Sequence, residues 1–464
     1  MLFSRRNRAR RFAMMSTAST LISQRAATAG RQPNRKGTTL VIGAGISGIA
    51  AARKLQAAGQ KVVVLDGRDR IGGRIWTDRT WEDVPVDLGA SWIHGVRFNP
   101  VARMVKEFKL PTVIYDTGTL SENTKVSRLY TVDGQLVSAA QLLQLSGDQE
   151  YVNDHLLKFA EKASSKLAAG TALLEVLSKS SMSETRRENV FELQNRVVED
   201  NFGAGINEIA AWGLDEGANF GGHEVVFPQG YGQLVDRLSL GLDVRFDQTV
   251  TQIEYGGNRV RVHTDRGVLE ADRVIVTLPL GVLKARTVKF TPELPDEKLG
   301  AIERLGMGIY DKLYLRFPKV FWDNVPVISQ RGNQHGKWAN WYALQHIANA
   351  PILCALNGGD AARRIERMKD AEIVRDAMER LASIYGSRIL EPTGYRVTRW
   401  GADPFSRGSY SFPAIGSRQG DRQLLAAPIA DRVFFAGEAT HEDYSGTVHG
   451  ALLSGWRAAS RILG

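Results

Sequence analysis

The stretch that decides the fold is LVIGAGISGIAAARKLQAAGQKVVVLDGRDRIGGR, residues 40–74. An apolar run leads into G-x-G-x-x-G at Gly43, Gly45 and Gly48, and a second apolar run ends at Asp66. In this arrangement the first glycine permits a tight turn, the second lets the backbone approach a pyrophosphate, and the third lets the helix pack on the strand. The helix N-terminus presents free N–H groups to phosphate, and the acidic residue binds a ribose hydroxyl. We therefore predict a βαβ unit that binds a dinucleotide.

A second glycine turn, IGGR at residues 71–74, follows this unit. In nicotinamide-dependent dehydrogenases this part of the chain usually continues the sheet, whereas an arginine after two glycines can reach a phosphate. The second turn therefore favours FAD over a nicotinamide dinucleotide.

Length and composition further restrict the class of protein to which this chain can belong. The 464 residues are too many for one simple core, which predicts two domains. Cys354 is the only cysteine, so the chain can form neither an internal disulfide nor a cysteine metal cluster, and we predict no metal site. No apolar run approaches the length of a membrane span.

The net charge of +10 belongs to the N-terminal tail. Residues 1–36 contain nine lysines and arginines and no acidic residue, which leaves 51 basic and 50 acidic side chains in the remaining 428 residues. The body of the protein is therefore nearly neutral, and its composition does not support nucleic-acid binding by a basic face.

The tail resembles a targeting segment. Arginine pairs at 5–6 and 10–11 precede a mildly apolar stretch at 12–22 and an A-x-A-like site at 27–29. This order favours twin-arginine export. An organelle transit peptide and a plain extension of a cytoplasmic protein are the alternatives.

The remaining chain shows a pattern of parallel strands at both ends with a helical and β-rich middle. We predict strands at 39–42, 61–65, 246–255, 259–264, 268–270, 273–278, 312–317, 325–330 and 432–435. We predict helices at 46–58, 101–108, 139–160, 184–199, 361–385 and 447–463. The first and last segments then share one sheet, with the middle inserted.

Five further segments match one family. They are DLGASWIHG at 87–95, FPQGYG at 227–232, a group between Trp400 and Ser411, FFAGE at 434–438, and TVHGA at 447–451 after Tyr444. With the N-terminal motif they resemble the flavin-containing amine oxidases, in particular the polyamine oxidase and lysine-demethylase branch. The resemblance runs from about residue 38 to the C-terminus and implies a two-domain α/β fold. It pairs a Rossmann-like FAD-binding domain (37–95, 225–300 and 399–464) with an α+β substrate-binding domain (96–224 and 301–398).

The resemblance also implies site roles. Lys312 would hold a water against flavin N5, and His94 would position the substrate or take up a proton. Trp92, Tyr410 and Tyr444 would line the amine site, the two tyrosines forming a slot that suits an alkylamine. Taken alone, a lysine in an apolar strand is more often a solvated edge residue, the histidine a structural one, and the tyrosines core. The implied cofactor-binding residues are Gly43, Gly45, Gly48, Asp66, Arg68, Gly73, Arg74, Gly89, Ala90, Ser91, Trp92, Val250, Trp400, Gly437, Glu438, Thr447 and Val448.

The resemblance implies oxidation of polyamines such as spermine or spermidine. A hydride would pass from the amine α-carbon to flavin N5, the imine would hydrolyse, and O2 would be reduced to H2O2. Cys354 lies far along the chain from the flavin motifs, so we expect non-covalent FAD. The chain has no room for the insertion and extra domain of histone demethylases, so we expect no chromatin role. An oxidase or dehydrogenase of basic amino acids, with Arg97 near the site, a monoamine oxidase and a non-enzymatic flavin-binding protein remain alternatives.

Residues that anchor the distal amines are not identified by any motif. Asp215 and Glu216 are the candidates that we name for this role. The oligomeric state is left open.

Overall fold

The structure is a computed structural model that describes residues 37–117, 126–332 and 336–464. The tail at 1–36, with its predicted targeting signal, lies outside the described residues. No helix in the described part is both long and apolar enough to cross a bilayer.

The strands and helices are numbered here in chain order. The strands are β1 (Thr38–Ile42), β2 (Lys61–Leu65), β3 (Thr77–Asp78), β4 (Val86–Asp87), β5 (Trp92–Ile93), β6 (Val113–Ile114), β7 (Ser127–Tyr130), β8 (Val225–Val226), β9 (Asp243–Arg245), β10 (Val250–Glu254), β11 (Val260–Thr264), β12 (Gly267–Ala271), β13 (Arg273–Val276), β14 (Lys289–Thr291), β15 (Gly306–Gly308), β16 (Tyr310–Arg316), β17 (Val327–Gln330), β18 (Asn340–Ala343), β19 (Ile352–Gly358), β20 (Gly394–Val397), β21 (Tyr410–Phe412) and β22 (Val433–Phe435). The helices are α1 (Ile46–Ala57), α2 (Pro100–Glu107), α3 (Ala139–Ala160), α4 (Ala169–Ser178), α5 (Glu184–Phe202), α6 (Gly232–Ser239), α7 (Leu280–Lys284), α8 (Asp296–Arg304), α9 (Gln345–Ala348), α10 (Gly359–Ile365), α11 (Asp370–Tyr385), α12 (Asp421–Ala426) and α13 (Val448–Leu463).

The first and last parts of the chain share one parallel sheet, as the sequence predicts. Its five strands run in the order β22-β13-β1-β2-β9. Helices α1 and α13 pack closely against each other. A Cβ on Gly455 of α13 would lie 2.1 Å from the carbonyl oxygen of Ser47 in α1. The C-terminal helix therefore closes the dinucleotide-binding unit that the N-terminal strand begins.

A second, largely antiparallel sheet has the strand order β20-β16-β19-β18-β17-β7. Its strands all fall within the predicted substrate-binding segments, and the strands of the parallel sheet fall within the predicted FAD-binding segments. A small sheet, β5-β8-β6, takes strands from both sets of segments. The exact division into two domains stays a prediction.

Several predicted elements differ from the structure by a few residues at their ends, and two differ more. The strand predicted at 246–255 begins only at Val250, because Asp247 has a φ of 50° and the amide of Gln248 donates to the carbonyl of Asp66. The helix predicted at 361–385 is two helices, α10 and α11. The second starts afresh at a capping box in which Glu372 accepts from the backbone of Lys369.

Candidate active site

The glycine turn after β1 has the geometry of a phosphate cradle. Gly43 has a φ of 103°, and a Cβ on it would lie 2.5 Å from Thr277 Oγ1. A Cβ on Gly48 would lie 2.0 Å from the carbonyl oxygen of Gly43, so α1 can approach β1 only with glycine there. Gly45 differs, because the nearest atom to its Cβ position is 3.9 Å away. The turn is thus tight where it packs and open at Gly45, where the fingerprint predicts the pyrophosphate.

Asp66 ends β2 with its carboxylate held in a fixed orientation. One oxygen accepts from the amide of Ala44 at 2.7 Å and the other from the amide of Arg68 at 2.9 Å. Burial raises the pKa of Asp66, and the two amide hydrogen bonds oppose that shift. A carboxylate at this strand end, joined to the glycine turn, suits a ribose hydroxyl.

Arg68 and Val250 were both predicted to bind the cofactor. The guanidinium of Arg68 forms two hydrogen bonds with Asp403, at 2.7 and 2.9 Å, and a third with Ser406. Val250 is buried and begins β10 opposite Thr264. The Arg68 side chain is thus paired within the protein, and direct cofactor contact by either residue stays a prediction.

The second glycine turn lies against the first. The amide of Gly72 donates to the carbonyl of Ala44, and a Cβ on Gly73 would lie 3.5 Å from Gly45 Cα. Arg74 follows, and its Nη1 donates to Glu438 at 2.9 Å and to the carbonyl of Ser409 at 2.8 Å. The two turns therefore place a guanidinium beside the cradle.

The carboxylate of Glu438 orients Arg74 and is not a helix cap. It also accepts from Ser411 Oγ at 2.6 Å and from the amide of Gly446 at 2.9 Å. Burial alone would raise its pKa, but Arg74, Ser411 and Arg422 together lower it, so the carboxylate remains charged. Since protein donors already bind both oxygens, Glu438 acts on a cofactor chiefly through Arg74.

A second opening lies at Gly437, whose φ is 126° and whose Cβ position has no atom within 4 Å. Thr447 caps α13 by accepting from the amide of Gly450, and Val448 is the first helical residue. A helix N-terminus beside an open glycine suits phosphate or ribityl oxygens. Together with Gly45, these positions fit FAD.

Lys312 lies buried on β16, so its interpretation as a solvated edge residue is wrong. Its Nζ donates to the carbonyls of Asp87 and Gly89, both at 2.7 Å, and to Ser91 Oγ at 2.5 Å. Burial lowers its pKa, while Cys354 and Asp87 act in the opposite direction. One lysine of the second sheet thus binds the turn at residues 87–91.

That turn is also joined to the second glycine turn and to Trp400. A Cβ on Gly89 would lie 1.8 Å from the carbonyl oxygen of Arg74, and the amide of Ala90 donates to that same oxygen. The indole of Trp400 donates to the carbonyl of Leu88 at 3.1 Å. The structure therefore brings Arg74 into one cluster with Gly89, Ala90, Ser91 and Trp400. All five residues are predicted to bind the cofactor.

Cys354 lies closer to this cluster than its sequence position indicates. It is buried on β19 opposite Tyr314, whose hydroxyl donates to the carbonyl of Asp87. Burial raises the pKa of the thiol to about 11. The thiol is therefore protonated and weakly nucleophilic, which supports non-covalent FAD.

Trp92 lies near Lys312 and also contacts further aromatic side chains. Its ring lies 6.0 Å from Lys312 Nζ, and it meets Tyr342 edge-on with ring centroids 5.4 Å apart. Its indole Nε1 is buried with no hydrogen-bond partner among the described residues. Sequence reasoning did not identify Tyr342, since no motif marks it.

Tyr410 and Tyr444 each pack against a different aromatic side chain. The hydroxyl of Tyr410 donates to the carbonyl of Asp200, and its ring lies 6.0 Å from that of Tyr310. Tyr444 stacks on Phe220 at 4.7 Å. Within the described residues the two tyrosines share no ring contact, and the slot between them stays a prediction.

His94 is held by an acidic partner that sequence reasoning missed. Its Nδ1 lies 2.6 Å from Glu224 Oε2. His94 directly follows β5, and Glu224 directly precedes β8, the antiparallel neighbour of β5. Glu224 belongs to no motif, so only the folded chain reveals the pair. A histidine oriented by a carboxylate can position substrate or carry a proton.

Glu216, a candidate anchor for a distal amine, and Arg97, a candidate partner for a substrate carboxylate, have different surroundings. Glu216 is bound through both oxygens by the buried Arg422, at 2.8 and 3.0 Å, so its carboxylate is already paired. Arg97 lies exposed, with its amide bonded to the carbonyl of Gly221. The pairing with Arg422 argues against Glu216 as an anchor, and the assignment of Asp215 or Glu216 to this role stays a prediction.

The cradle, the ribose-directed carboxylate and the buried lysine define a flavoprotein with a Rossmann-like dinucleotide-binding domain. The described residues hold no group of three side chains that could bind a metal ion. A family described as flavin containing amine oxidoreductase matches residues 46–463, and the chain belongs to that family. FAD is its cofactor.

Similar proteins fall into two groups. Lysine-specific histone demethylase 1 homolog 2 of Arabidopsis thaliana is 35% identical over 92% of this chain and 58% of its own length. Polyamine oxidase 2 of the same plant is 35% identical over 92% of this chain and 88% of its own length. The chain thus spans about half the length of the demethylase homologues it matches.

A solved structure of a putrescine oxidase double mutant, from a study of cofactor-binding redesign, has the same fold. Its TM-score is 0.76 at 20% identity, and the match covers 92% of this chain and 99% of that one. The two-domain FAD amine oxidase fold predicted from the motifs is therefore confirmed.

Proposed function

We propose that this protein is an FAD-dependent amine oxidase that acts on polyamines, spermine or spermidine. The observation that carries the proposal is Lys312, which is buried and bonded to the turn at residues 87–91 beside Trp92. The near-complete overlap with Polyamine oxidase 2 supports the substrate class.

FAD, when bound, would accept a hydride from the amine carbon and pass the electrons to O2, giving H2O2. The chain would supply orientation, exclusion of water and proton handling. Ser91 would hold a water for imine hydrolysis and would be oriented by Lys312, because the three N–H donors of Lys312 are already bonded to Asp87, Gly89 and Ser91. Trp92 and the neighbouring tyrosines would enclose the alkyl chain. The His94–Glu224 pair would take up or release a proton near the site.

The reacting amine must be neutral to lose a hydride, which predicts faster turnover on the alkaline side of neutrality. A carboxylate-bearing substrate has less support, because Arg97 is exposed and Arg422 is paired with Glu216. For the same reason basic amino acids rank below amines.

The first test is anaerobic reduction of the purified holoenzyme. Spermine, spermidine, putrescine, a monoamine, L-arginine and L-lysine are added in turn while flavin absorbance is recorded. Rapid bleaching by spermine or spermidine, with H2O2 once air is admitted, is the expected result. Bleaching by amino acids alone would contradict the proposed substrate class.

We also propose export for the full chain, on the strength of its basic tail. The support is the arginine pairs and the A-x-A-like site in residues 1–36. Sequencing the N-terminus of protein recovered from its native source tests this, and an uncleaved, cytoplasmic product would contradict it.

A further inference from the structure

Asp311 is a buried carboxyl group next to Lys312 on β16, and the site described above does not use it. Its Oδ1 accepts from the amide of Trp400 at 3.0 Å and from Thr398 Oγ1 at 2.7 Å. The same hydroxyl oxygen of Thr398 accepts from the amide of Lys312 at 2.8 Å. Asp311 therefore binds the backbone at Trp400 directly and the backbone at Lys312 through Thr398.

A second carboxylate binds the same stretch of backbone. Glu366, which directly follows α10, accepts from the amide of Gly401 at 2.6 Å through its Oε1. A Cβ on Gly401 would lie 2.6 Å from the other oxygen of Glu366. Because the amides of Trp400 and Gly401 are consecutive, they bring the two acidic side chains together. Glu366 is the hydrogen-bonding neighbour of the Asp311 carboxyl group.

The two acids can be in contact only if one of them carries a proton. Asp311 is 2% exposed, and its Oδ2 finds no donor among the described residues. Two ionised carboxylates offer acceptors alone and repel each other, whereas one proton between them makes the contact a hydrogen bond. Burial and the charge of Glu366 accordingly raise the pKa of Asp311 well above its usual value.

Neither acid forms an ion pair within the part of the chain that the structure describes. Asn357, which is uncharged, lies opposite Asp311 on β19. Arg364 and Arg367 are exposed. The buried and half-buried cations of the surrounding elements are bonded to other groups: Lys312 to the turn at residues 87–91, Arg316 to Asp83, Arg363 to Glu208 and Asp360, Arg396 to Asp78, and Arg399 to Asp370.

We propose that Asp311 and Glu366 share one proton and act as positioning residues, which hold Trp400 and Lys312 in place at the flavin site. The inference rests on the proposed function, because it assigns the two acids to the arrangement of residues in that site. One donor between the two side chains is sufficient, and an amide group supplies it as well as a proton does.

The first test compares a conservative and a non-conservative variant of Asp311. Asp311→Asn keeps the acceptor for Trp400 and offers an amide donor to Glu366, whereas Asp311→Leu removes both. We expect FAD to leave the holoenzyme of Asp311→Asn within about threefold of the wild-type rate, and that of Asp311→Leu at least about tenfold faster. The fluorescence of released flavin after dilution measures these rates.

Asp421→Asn is the matched control. Asp421 is also buried and also accepts from a backbone amide, that of Arg418, but its partner is the guanidinium of Arg304. An amide cannot replace a charge there, so this variant should lose stability in denaturant unfolding while Asp311→Asn keeps it. A loss in Asp311→Asn as large as that in Asp421→Asn would show that Asp311 is needed as a carboxylate and would overturn the proposal.

The second test is the pH dependence of stability, which a purely structural role would not change. The contribution of Asp311 is fully present below the ordinary aspartate pKa and is lost as the pH rises through the raised folded-state pKa. Denaturant unfolding of the holoenzyme over a pH series should therefore favour Asp311→Asn over the wild type increasingly as the pH rises. Glu366→Gln should show the same trend. Parallel pH curves for wild type and both variants would contradict a shared proton, even if Asp311→Leu does not fold.

Neither test uses an amine, so the two proposals can fail separately. If no amine bleaches the flavin while both tests give the expected results, the proposed function fails and the assignment of Asp311 and Glu366 stands. If amines bleach the flavin while Asp311→Asn loses stability or keeps the wild-type pH curve, the assignment fails and the proposed function stands.

Discussion

At the scale of single residues, the described part of the chain contains two buried lysines, each of which donates three hydrogen bonds, at different positions in the fold. Lys312 donates to Asp87, Gly89 and Ser91, whereas Lys298 donates to the carbonyls of Leu424, Leu425 and Ala427. Burial lowers the pKa of both, that of Lys298 to about 7. Only Lys312 binds the turn at residues 87–91, whereas the Nζ of Lys298 lies 4.1 Å from the centre of the Phe435 ring. Replacing each lysine in turn therefore distinguishes the loss of stability from the loss of activity.

Lys312→Met should slow flavin reoxidation by roughly 100-fold, because the water that Lys312 helps to position and the proton that this water relays are lost. Both Lys312→Met and Lys298→Met should lose about 1–3 kcal/mol of stability from unsatisfied carbonyls. Stopped-flow absorbance and denaturant unfolding give the two quantities. Comparable loss of rate in the Lys298 variant would refute the assignment.

Glu438→Gln should weaken FAD binding by about tenfold or more, because Arg74 loses the charge that orients it. Asp421→Asn, which breaks the ion pair with Arg304, is the control and should lower stability only. Fluorescence titration of apoprotein with FAD measures both. Unchanged FAD affinity in Glu438→Gln would show that Arg74 needs no partner.

The lowered pKa of Glu438 also gives a pH dependence. The ion pair stabilises the protein at pH values above the ordinary glutamate pKa, and that contribution is lost as pH falls through the folded-state pKa. The wild type should therefore release FAD more readily in acid, and Glu438→Gln should show a flatter dependence.

At the scale of elements, two glycine turns and three strand ends create the cradle. The turn after β1 contacts the turn at residues 72–73. Arg74, which follows the second turn, is joined through Glu438 to the loop that enters α13. Gly48 is needed for the close approach of α1 to β1, whereas Gly147 lies exposed in α3 with no atom near its Cβ position.

Gly48→Ala should cost about 1–3 kcal/mol through overpacking and should also reduce FAD binding. Gly147→Ala, likewise a helical glycine, should stabilise the protein by roughly 0.5–1 kcal/mol. Thermal unfolding with and without added FAD distinguishes them. A Gly48 variant with normal stability and FAD content would contradict the packing geometry.

At the scale of the whole molecule, Lys312 and Trp400 connect the two predicted domains at the flavin site. Lys312 comes from the six-stranded sheet and binds the turn at residues 87–91. Trp400 donates its indole N–H to Leu88 of that turn and its amide N–H to Asp311 of β16. FAD bound at the parallel sheet should therefore stabilise both sheets together.

Saturating FAD at about 100 times its Kd should add roughly 2.7 kcal/mol of stability. Hydrogen exchange should then slow at the glycine turns, at residues 87–92 and in β16. Helix α3, which lies away from these contacts, should change little and provides the internal control. Protection confined to the parallel sheet would show that the two sheets are not coupled through Lys312.

Much of the fold could be predicted because patterns of residues close together in the sequence determine its helices and strands. Gly43, Gly45, Gly48 and Asp66 predicted the βαβ unit, and the predicted helix at 139–160 has the observed bounds. The predicted strand start at 246 was wrong because a tertiary contact between Gln248 and Asp66 bends the chain there. The break between α10 and α11 was missed because it depends on a local cap within a helical composition.

The sequence by itself determined the flavin fingerprint and the family, because each motif depends on residues close together in the chain. It also predicted that the first and last strands share one sheet. Tertiary structure alone decided the partners of side chains that meet across long separations. It placed Glu224 at His94, Arg422 at Glu216, and Tyr310 at Asp200. The physical reason is that charge pairing and burial depend on three-dimensional neighbours, which local spacing does not encode.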